Sequence, residues 1–458
     1  MTFNRHNDYE KVNYQWIKEM PSHWTNKKLK HLLSSNETGI KIGPFGSALK
    51  SELLSEEGHY KVYGQENVIS KDFQAGERRI DENMYKSLAD YAIKSGDILI
   101  TLMGSSGQCC LVPEGIEEGI IDSHLLRIRL ANKRQNNLIE KIIDQAPYVR
   151  MQIDLMGKGA IMHGINSQIV KNLVIHLPPE KEQLDITAFL VRETTKIDDL
   201  IAEQERLIDL LQEKRQAVIS HAVTKGLNPN ALMKDSGVEW LGEVPEHWHV
   251  SEARRDIEFL TSGSRGWADF YSDKGPIFLR IANLTRDKIE LKLSNIQRVT
   301  PPEGTEGART EVKGGDVLFS ITAYLGSVAV VPTNFEKAYV SQHVCLARLN
   351  KLNLSPKWLA YSVLSSSGKA YLEANSYGGT KVQLALDDIK SFPLTAPSLQ
   401  EQEEIIEKLE VSLGSLDELR SKANENIALL QERRSALISA AVTGQIDVRG
   451  LVAEEEVA

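Results

Sequence analysis

The sequence predicts a mixed α/β (α+β) chain built twice: two globular domains, joined by two long antiparallel coiled-coil helices with pseudo-two-fold symmetry. Three observations predict it. Motifs recur in the same order along the chain, two stretches near the ends of the copies carry a sustained heptad pattern, and short apolar runs between turn residues alternate with helical stretches.

The repeat comes first. Trp16-x4-Pro21-x-His23-Trp24 recurs as Trp240-x4-Pro245-x-His247-Trp248, an offset of 224. Lys94-Ser-Gly-Asp97 recurs as Lys313-Gly-Gly-Asp316, an offset of 219 that then holds without a gap. It carries Gly107 onto Gly326, Val112-Pro113 onto Val331-Pro332, His124 onto His343, Arg129 onto Arg348 and Glu182-Gln183 onto Glu401-Gln402. It ends by carrying LQEKRQAVISHAVT onto LQERRSALISAAVT. Between them, Tyr63-Gly-Gln-Glu-Asn67 resembles Leu279-Arg-Ile-Ala-Asn283 weakly at an offset of 216, so insertions and deletions concentrate in residues 25–93. A fixed frame with variable segments is how loops put different specificities on one scaffold.

The boundaries follow: domain 1 over 1–179, a central long helix over 180–225, a linker over 226–236, domain 2 over 237–398, a C-terminal long helix over 399–445 and an acidic tail over 446–458. Within the domains, Ile98–Thr101 and Val317–Ser320 follow a Gly-Asp turn and read as buried strands. Ser123–Leu130, Gln342–Leu349 and Val170–Leu177 read as further strands, with helices over 135–153 and 355–375. Each long helix starts after proline, at Pro178-Pro179 and Pro397, and ends near glycine, at Gly226 and Gly444. Ser398-Leu-Gln-Glu401 matches a capping box. Apolar residues step by four and three through Leu190, Ile197, Ile201, Ile208, Leu211, Val218 and Ala222, and again through Leu409, Leu413, Leu416, Ala423, Ile427, Leu430, Leu437 and Ala441. Arg215 and Arg434 sit at equivalent seam positions, either fixing register, binding a partner or snorkelling at the rim. A helix of about 40 residues is roughly 60 Å long, and the cheapest partner for each seam is the other copy's helix. Such a pair would hold the domains apart like a ruler.

Composition narrows the function. Hydrophobic residues are 41% and charged residues 26%, ordinary for a globular protein. No apolar run reaches the ~18 residues of a membrane span and the start of the chain is not a secretory signal, so a cytoplasmic protein with no membrane partner is expected. Cys109, Cys110 and Cys345 have neither zinc nor disulfide spacing and read as small buried thiols. The net charge is −9, but residues 1–179 carry +1 and 226–398 carry 0; the acid lies in the helices and tail. Neutral domains permit contact with DNA without predicting it.

Catalytic patterns are missing. There is no GxxxxGK[ST] to cradle phosphates, no GxGxxG in a strand–helix context, no HExxH or CxxC, and no Asn/Asp-Pro-Pro-aromatic loop of an amino-methyltransferase. No catalytic residue, metal site or cofactor is therefore expected. His124 and His343 read as hydrogen-bonded strand histidines, Asp97 and Asp316 as turn aspartates, and Glu182 and Glu401 as helix N-terminal carboxylates.

The ordered motifs resemble the specificity subunit of type I restriction–modification systems (the HsdS family). They are Gly237-Val-Glu-Trp-Leu-Gly-Glu-Val-Pro-Glu-His-Trp248, then Lys-Gly-Gly-Asp316-Val-Leu, then Pro-Ser-Leu-Gln-Glu401-Gln, and finally Leu-Leu-Gln-Glu-Arg-Arg-Ser-Ala-Leu-Ile-Ser-Ala-Ala-Val-Thr-Gly444. The resemblance covers essentially the whole chain. It implies a non-catalytic subunit whose two domains each read half of a split double-stranded DNA target. It also implies that the helices set the spacer and dock two methyltransferase subunits, that restriction subunits then join, and that adenine methylation and cleavage belong to those partners. Donors and acceptors at base edges give specificity, while Lys and Arg on phosphates fix position. On that basis the first-domain candidates are Lys41, Ser47, Gln65, Asn67, Ser105, Ser106, Lys158 and His163. The second-domain candidates are Ser262, Ser264, Arg265, Arg280, Asn283, Thr322, Tyr324, Tyr377 and Lys381. The alternative is a coiled-coil scaffold or adaptor without specific DNA binding.

Overall fold

The computed structural model describes residues 3–14, 17–35, 38–45, 48–49, 54–103, 107–157, 165–301, 305–350, 352–378 and 382–451. The chain forms two compact units. One is Met1–Glu203 with Asn426–Ala458, the other Gln204–Glu425. Each takes in part of both long helices, which run over Glu180–Lys225 and Leu399–Val442.

The two units repeat one topology strand for strand. In the first, a fully antiparallel four-stranded sheet has the order Ile40–Ile42, Leu125–Ile128, Ile98–Thr101, Cys109–Leu111. In the second the order is Ile257–Ser262, Val344–Leu349, Val317–Ser320, Val328–Val330. A smaller mixed sheet accompanies each. Tyr60–Tyr63 runs parallel to Gly119–Ile121 with Arg79–Ile80 on its other edge, and Tyr271–Leu279 runs parallel to Ala338–Val340 with Arg298–Val299 on its other edge. The entry hairpins match in register: Tyr9 faces Pro21 and Met233 faces Pro245, at the offset of 224.

The Gly-Asp turns do more than turn. Gly96 and Gly315 have φ of 85° and 88°, conformations that favour glycine. Asp97 accepts the Lys94 N–H at 2.9 Å and two bonds from Arg129 at 2.7 and 2.6 Å. Asp316 does the same with Lys313 at 2.7 Å and Arg348 at 2.8 and 2.7 Å. Each buried carboxylate thus joins one edge of a strand pair to the end of the next strand.

Several expected boundaries shift. The helical stretches are each broken at the same place, into Asn136–Gln145 and Pro147–Gly157, and into Pro356–Leu364 and Ser366–Ala374. Proline, which is favoured in a helix's first turn, opens the second piece of the first copy. The Ser365 hydroxyl caps the equivalent break by accepting the Gly368 N–H at 3.0 Å. Val170 is not in a strand: the side chain of Asn166 caps a short helix, Ser167–Asn172, and the strand is Val174–Leu177. His124 and His343 precede their strands and lie exposed in turns.

Each unit has a core in which the start of one long helix meets the end of the other. Ile186, Phe189 and Leu190 share a cluster with Ile438, Ala441 and Val442. Ile219, Ala222 and Val223 share another with Ile405, Ile406, Leu409 and Leu413. The helix segments are antiparallel within each unit, and the predicted seam is the buried stripe: Leu190, Ile197, Leu211, Leu409, Leu413 and Ala423 are buried, with Ile201, Ile208, Val218, Leu416, Ile427, Leu430 and Leu437 half-buried. The seam arginines pair across the helices. Arg434 makes two bonds to Asp198 at 2.7 and 3.2 Å, and Arg215 bonds Asp417 at 3.1 Å; both residues of the one pair are 219 positions from those of the other. Arg215 is buried and also donates to the Asp287 carbonyl at 3.0 Å.

The ends of the helices lock onto the His-Trp motif. Glu182 accepts from Trp24 Nε1 at 3.0 Å and lies 2.7 Å from His23 Nε2; Glu401 does the same with Trp248 at 3.0 Å and His247 at 3.2 Å. The Ser398 hydroxyl receives the Glu401 N–H at 3.3 Å, but the Glu401 side chain turns to the motif, so only half of the expected capping box forms. Gln183 and Gln402 reach back to the carbonyls of Pro178 and Pro397, at 2.8 and 2.9 Å. The helix-ending glycines have φ of 70° at Gly226 and 69° at Gly444, and a Cβ there would meet Trp248 at 3.0 Å or Pro21 at 2.6 Å.

The first unit carries a buried histidine that the second replaces with threonine. His176, opposite Asn26 in its strand pair and hydrogen-bonded to that side chain, is almost wholly buried, and burial pulls its pKa down to about 4. The unfolded chain takes up this proton near 6.5 and the folded chain only near 4, so the stability from the neutral ring is full above pH 6.5, falls as pH drops towards 4, and is flat below. At 1.36 kcal/mol per unit this is at most about 3 kcal/mol. Urea unfolding of His176→Thr, the residue found at the equivalent Thr395, should show a shallower loss between pH 6.5 and 4. An unchanged slope would remove His176 as its source.

Candidate functional site

In both units, three loops converge at the carboxyl ends of the parallel strands. In the second unit the chain leaves Tyr271–Leu279 at Arg280, leaves Ala338–Val340 at Ser341-Gln342-His343, and leaves Val317–Ser320 into Thr322-Ala323-Tyr324. The loops are tied by Ser341 N donating to the Leu279 carbonyl at 2.9 Å and Ile321 N to that of His343 at 3.1 Å. The same ties recur in the first unit, from Asp122 N to the Tyr63 carbonyl and Leu102 N to that of His124, both at 2.9 Å. The framework at the site is therefore duplicated while its side chains differ.

In the second unit the locus is an open cavity of about 490 Å³ lined by Trp267, Tyr271, Phe278, Arg280, Gln342 and His343, among others. Trp267 stacks on Phe278 with centroids 5.7 Å apart and meets Tyr339 edge-on. Trp267 Nε1 and Arg280 Nε are buried donors with no hydrogen-bond partner among the described residues. Unmet donors of that kind cost stability unless a ligand or water meets them. His343 bonds Thr322 and Gln342, each at 3.0 Å. Ala323 holds a left-handed φ of 61° between Thr322 and Tyr324, which glycine would adopt more easily. Tyr324 and Tyr377 are exposed. Thr322 and Tyr377 both bridge to Gln383.

The structure brings together Ser264, Arg280, Thr322 and Tyr377 of the expected set, with Tyr324 beside Thr322 in sequence. Ser264 lines the cavity, but its hydroxyl is buried against Thr310 at 2.8 Å. Arg265 is exposed beside it, and Ser262 ends its strand, half-buried, opposite Cys345. Asn283 is a correction. It is buried, and its side chain accepts the Arg280 N–H and donates to the Lys292 and Asn295 carbonyls, so both its amide hydrogens are taken up in shaping the loop. Asn67 is the same correction in the first unit, bonded to Gly64 N and to the Asp72 and Ala75 carbonyls. The weak offset of 216 is therefore a true structural equivalence at this asparagine.

In the first unit Gln65 stands at the locus with its Oε1 buried and without a partner among the described residues. Arg78 crosses the loops to Glu66 at 2.6 Å and Asp122 at 3.0 Å, and His124 is half exposed. Lys41 pairs with Asp90 at 3.2 Å. Ser47, Ser105, Ser106, Lys158, His163 and, in the second unit, Lys381 lie outside the described residues, as does Trp16. Sequence reasoning missed Arg78, Trp267 and Gln342, and read His124 and His343 as scaffold; the matched histidines directly after matched strands were the available signal.

Cysteine chemistry is set aside by burial. Cys109, Cys110 and Cys345 are buried, and desolvation raises all three thiols, that of Cys110 to about 12. They are not thiolates at neutral pH. Among the described residues no helix is long and apolar enough to cross a membrane.

The duplicated scaffold thus presents different polar and aromatic side chains at one equivalent locus in each unit. Residues 305–428 match the family model described as the type I restriction modification DNA specificity domain. The chain is 22% identical over 431 residues to the type I restriction enzyme MjaVIII specificity subunit of Methanocaldococcus jannaschii, covering 90% of this chain and 93% of that protein. It is 24% identical over 309 residues to the EcoKI specificity subunit of Escherichia coli, covering 65% of this chain and 63% of that one. Among solved structures, a chain from a study of complex assembly and conformational transition of the type I R-M system superimposes with a TM-score of 0.65, at 16% identity, over 93% of this chain and 99% of that one. The HsdS subunit from Thermoanaerobacter tengcongensis gives 0.50 at 15% identity, over 93% and 98%. Residues 305–428 thus match the family's specificity domain, and the chain as a whole is similar to type I specificity subunits over about nine tenths of its length.

Proposed function

We propose that this chain is the non-catalytic DNA sequence-recognition subunit of a type I restriction–modification complex, each globular domain reading one half of an asymmetric, two-part target in double-stranded DNA. The observation that carries this reading is the paired locus: one framework, with Arg280, Trp267, Gln342 and His343 in one unit, and Gln65, Arg78 and His124 in the other. Different donors on equal frames give different half-sites. The long helices set the spacer and dock two methyltransferase subunits, and restriction subunits join that core. Methylation and cleavage are the work of those partners, in keeping with the thiols being protonated and the catalytic motifs missing from the sequence. Their names as specificity subunits, borne by the relatives, support the same division of labour.

The test is an exchange of residues 1–179 for the corresponding domain of a relative, followed by mapping of modified adenines across the host genome. One half of the modified motif should change and the other should stay. A change in both halves, or in neither, would sink the one-domain, one-half-site reading. A scaffold without a reading role would instead bind random and cognate duplexes equally at moderate salt.

A further inference from the structure

We propose that the first unit holds one divalent transition-metal ion, zinc by its ligand chemistry, between His6, His23 and Glu182. Among the described residues this is the one group whose histidine and carboxylate ligand atoms gather, all within 4.8 Å of one another. His6 comes from the segment ahead of the entry hairpin, His23 from the His-Trp motif and Glu182 from the first turn of the central helix. No spacing rule could find such a site in the sequence, because its ligands come from three separate elements.

Two observations point to an ion rather than to a hydrogen-bonded cluster. The first is His6. Its side chain is 2% exposed, and its Nε2 has no hydrogen-bond partner among the described residues, facing Glu182 Oε1 at 3.6 Å, too far for a hydrogen bond. The second is the equivalent place in the second unit. There His247 and Glu401 satisfy each other at 3.2 Å, and the position matching His6 at the offset of 224 is Asn230, which is exposed. The His–Glu–Trp part is thus structural in both copies, and the added buried histidine is particular to the first.

The surrounding groups suit a metal. Trp24 Nε1 holds Glu182 Oε1 at 3.0 Å, leaving Oε2 to ligate while its partner oxygen is fixed. Asp447 Oδ2 lies 3.7 Å from His6 Nδ1, on the far side of the ring from the ligating nitrogen; closing that gap to hydrogen-bond distance would give the carboxylate partner that orients a metal-bound imidazole. Arg449 also donates towards that nitrogen at 3.4 Å and is held by Asp447 at 2.6 Å, so ligation through Nε2 would move the ring proton to Nδ1 and turn it from Arg449 to Asp447. Glu182 and Asp447, set against the Arg449 guanidinium, leave one net negative charge facing the dication. Zinc–nitrogen and zinc–oxygen bonds of about 2.0–2.2 Å place tetrahedral ligands roughly 3.3 Å apart, so His23 Nε2 and Glu182 Oε2, now at 2.7 Å, part by about half an ångström as the proton between them leaves. His23 is about one-third exposed, which leaves a fourth position open to water.

The experiment uses the full chain with any affinity tag removed, stripped with chelator and titrated with zinc by calorimetry and native mass spectrometry, and with cobalt by its tetrahedral visible absorption. One ion per chain is expected, with nitrogen–oxygen ligation. His6→Gln and His23→Gln should each weaken zinc binding more than about 100-fold, and Asp447→Asn by about 10- to 100-fold. His247→Gln should leave it unchanged. Circular dichroism of each variant separates lost ligation from lost folding, and the wild-type stoichiometry stands without any variant. Absence of a stoichiometric ion in the wild type, retention of it in folded His6→Gln, or its loss in folded His247→Gln would each overturn the proposal.

Discussion

Asp316→Ala is expected to lower the unfolding free energy by about 2–4 kcal/mol, read as a drop in urea midpoint of the transition that reports the second unit. The carboxylate is 2% exposed, accepts the Lys313 N–H, and takes two bonds from Arg348. Removing it strands a backbone donor and a guanidinium at once. Arg348 remains 23% exposed, so water meets part of its charge, and the cost stays below that of a fully buried pair. Asp316→Asn keeps an acceptor for Lys313 but weakens the charged pair, and should cost about half as much. Equal losses for the two variants would mean that the ion pair, disrupted in both, carries the whole effect and the turn acceptor none.

Arg280→Ala is expected to weaken binding to the cognate duplex by about 10- to 100-fold, the usual worth of a two-pronged base contact of about 1–3 kcal/mol, while binding to random duplex changes less. This follows from the recognition role proposed above. Arg280 rises from the end of a parallel strand into the aromatic cavity, its Nε buried and unmatched. Competition titrations at fixed salt give both affinities. A parallel loss for cognate and random duplex would reassign Arg280 to phosphate contact.

The sequence carried the scaffold well because the scaffold is periodic and repeated. Ile98–Thr101 and Val317–Ser320 fall on their expected limits since a glycine turn fixes each start and three apolar residues with a closing hydroxyl residue are buried on both faces. The seam was equally plain, because a heptad stripe buried against another helix has one period. Val170 misled because an apolar run does not distinguish a short capped helix from a strand, and Asn166 decided the matter by its side chain. The candidate site was read less well. Exposed polar residues in variable loops looked alike in sequence, so Asn67 and Asn283 were taken for readers when their side chains were already spent on their own loops. Trp267 and Arg78 gave no periodic signal at all. They matter through neighbours more than ten residues away, which only the folded chain brings close.

The division of the long helices between the two units has a consequence for the order of folding during synthesis. The second unit, Gln204–Glu425, is one continuous stretch, whereas the first needs Asn426–Ala458 as well as Met1–Glu203. Domains made first usually fold first. Here the amino-terminal unit must wait, its core open along Phe189 and Leu190, until Ile438, Ala441 and Val442 leave the ribosome. The unit translated first is completed last, and loss of residues 426–458 would open the core of the unit that begins the chain.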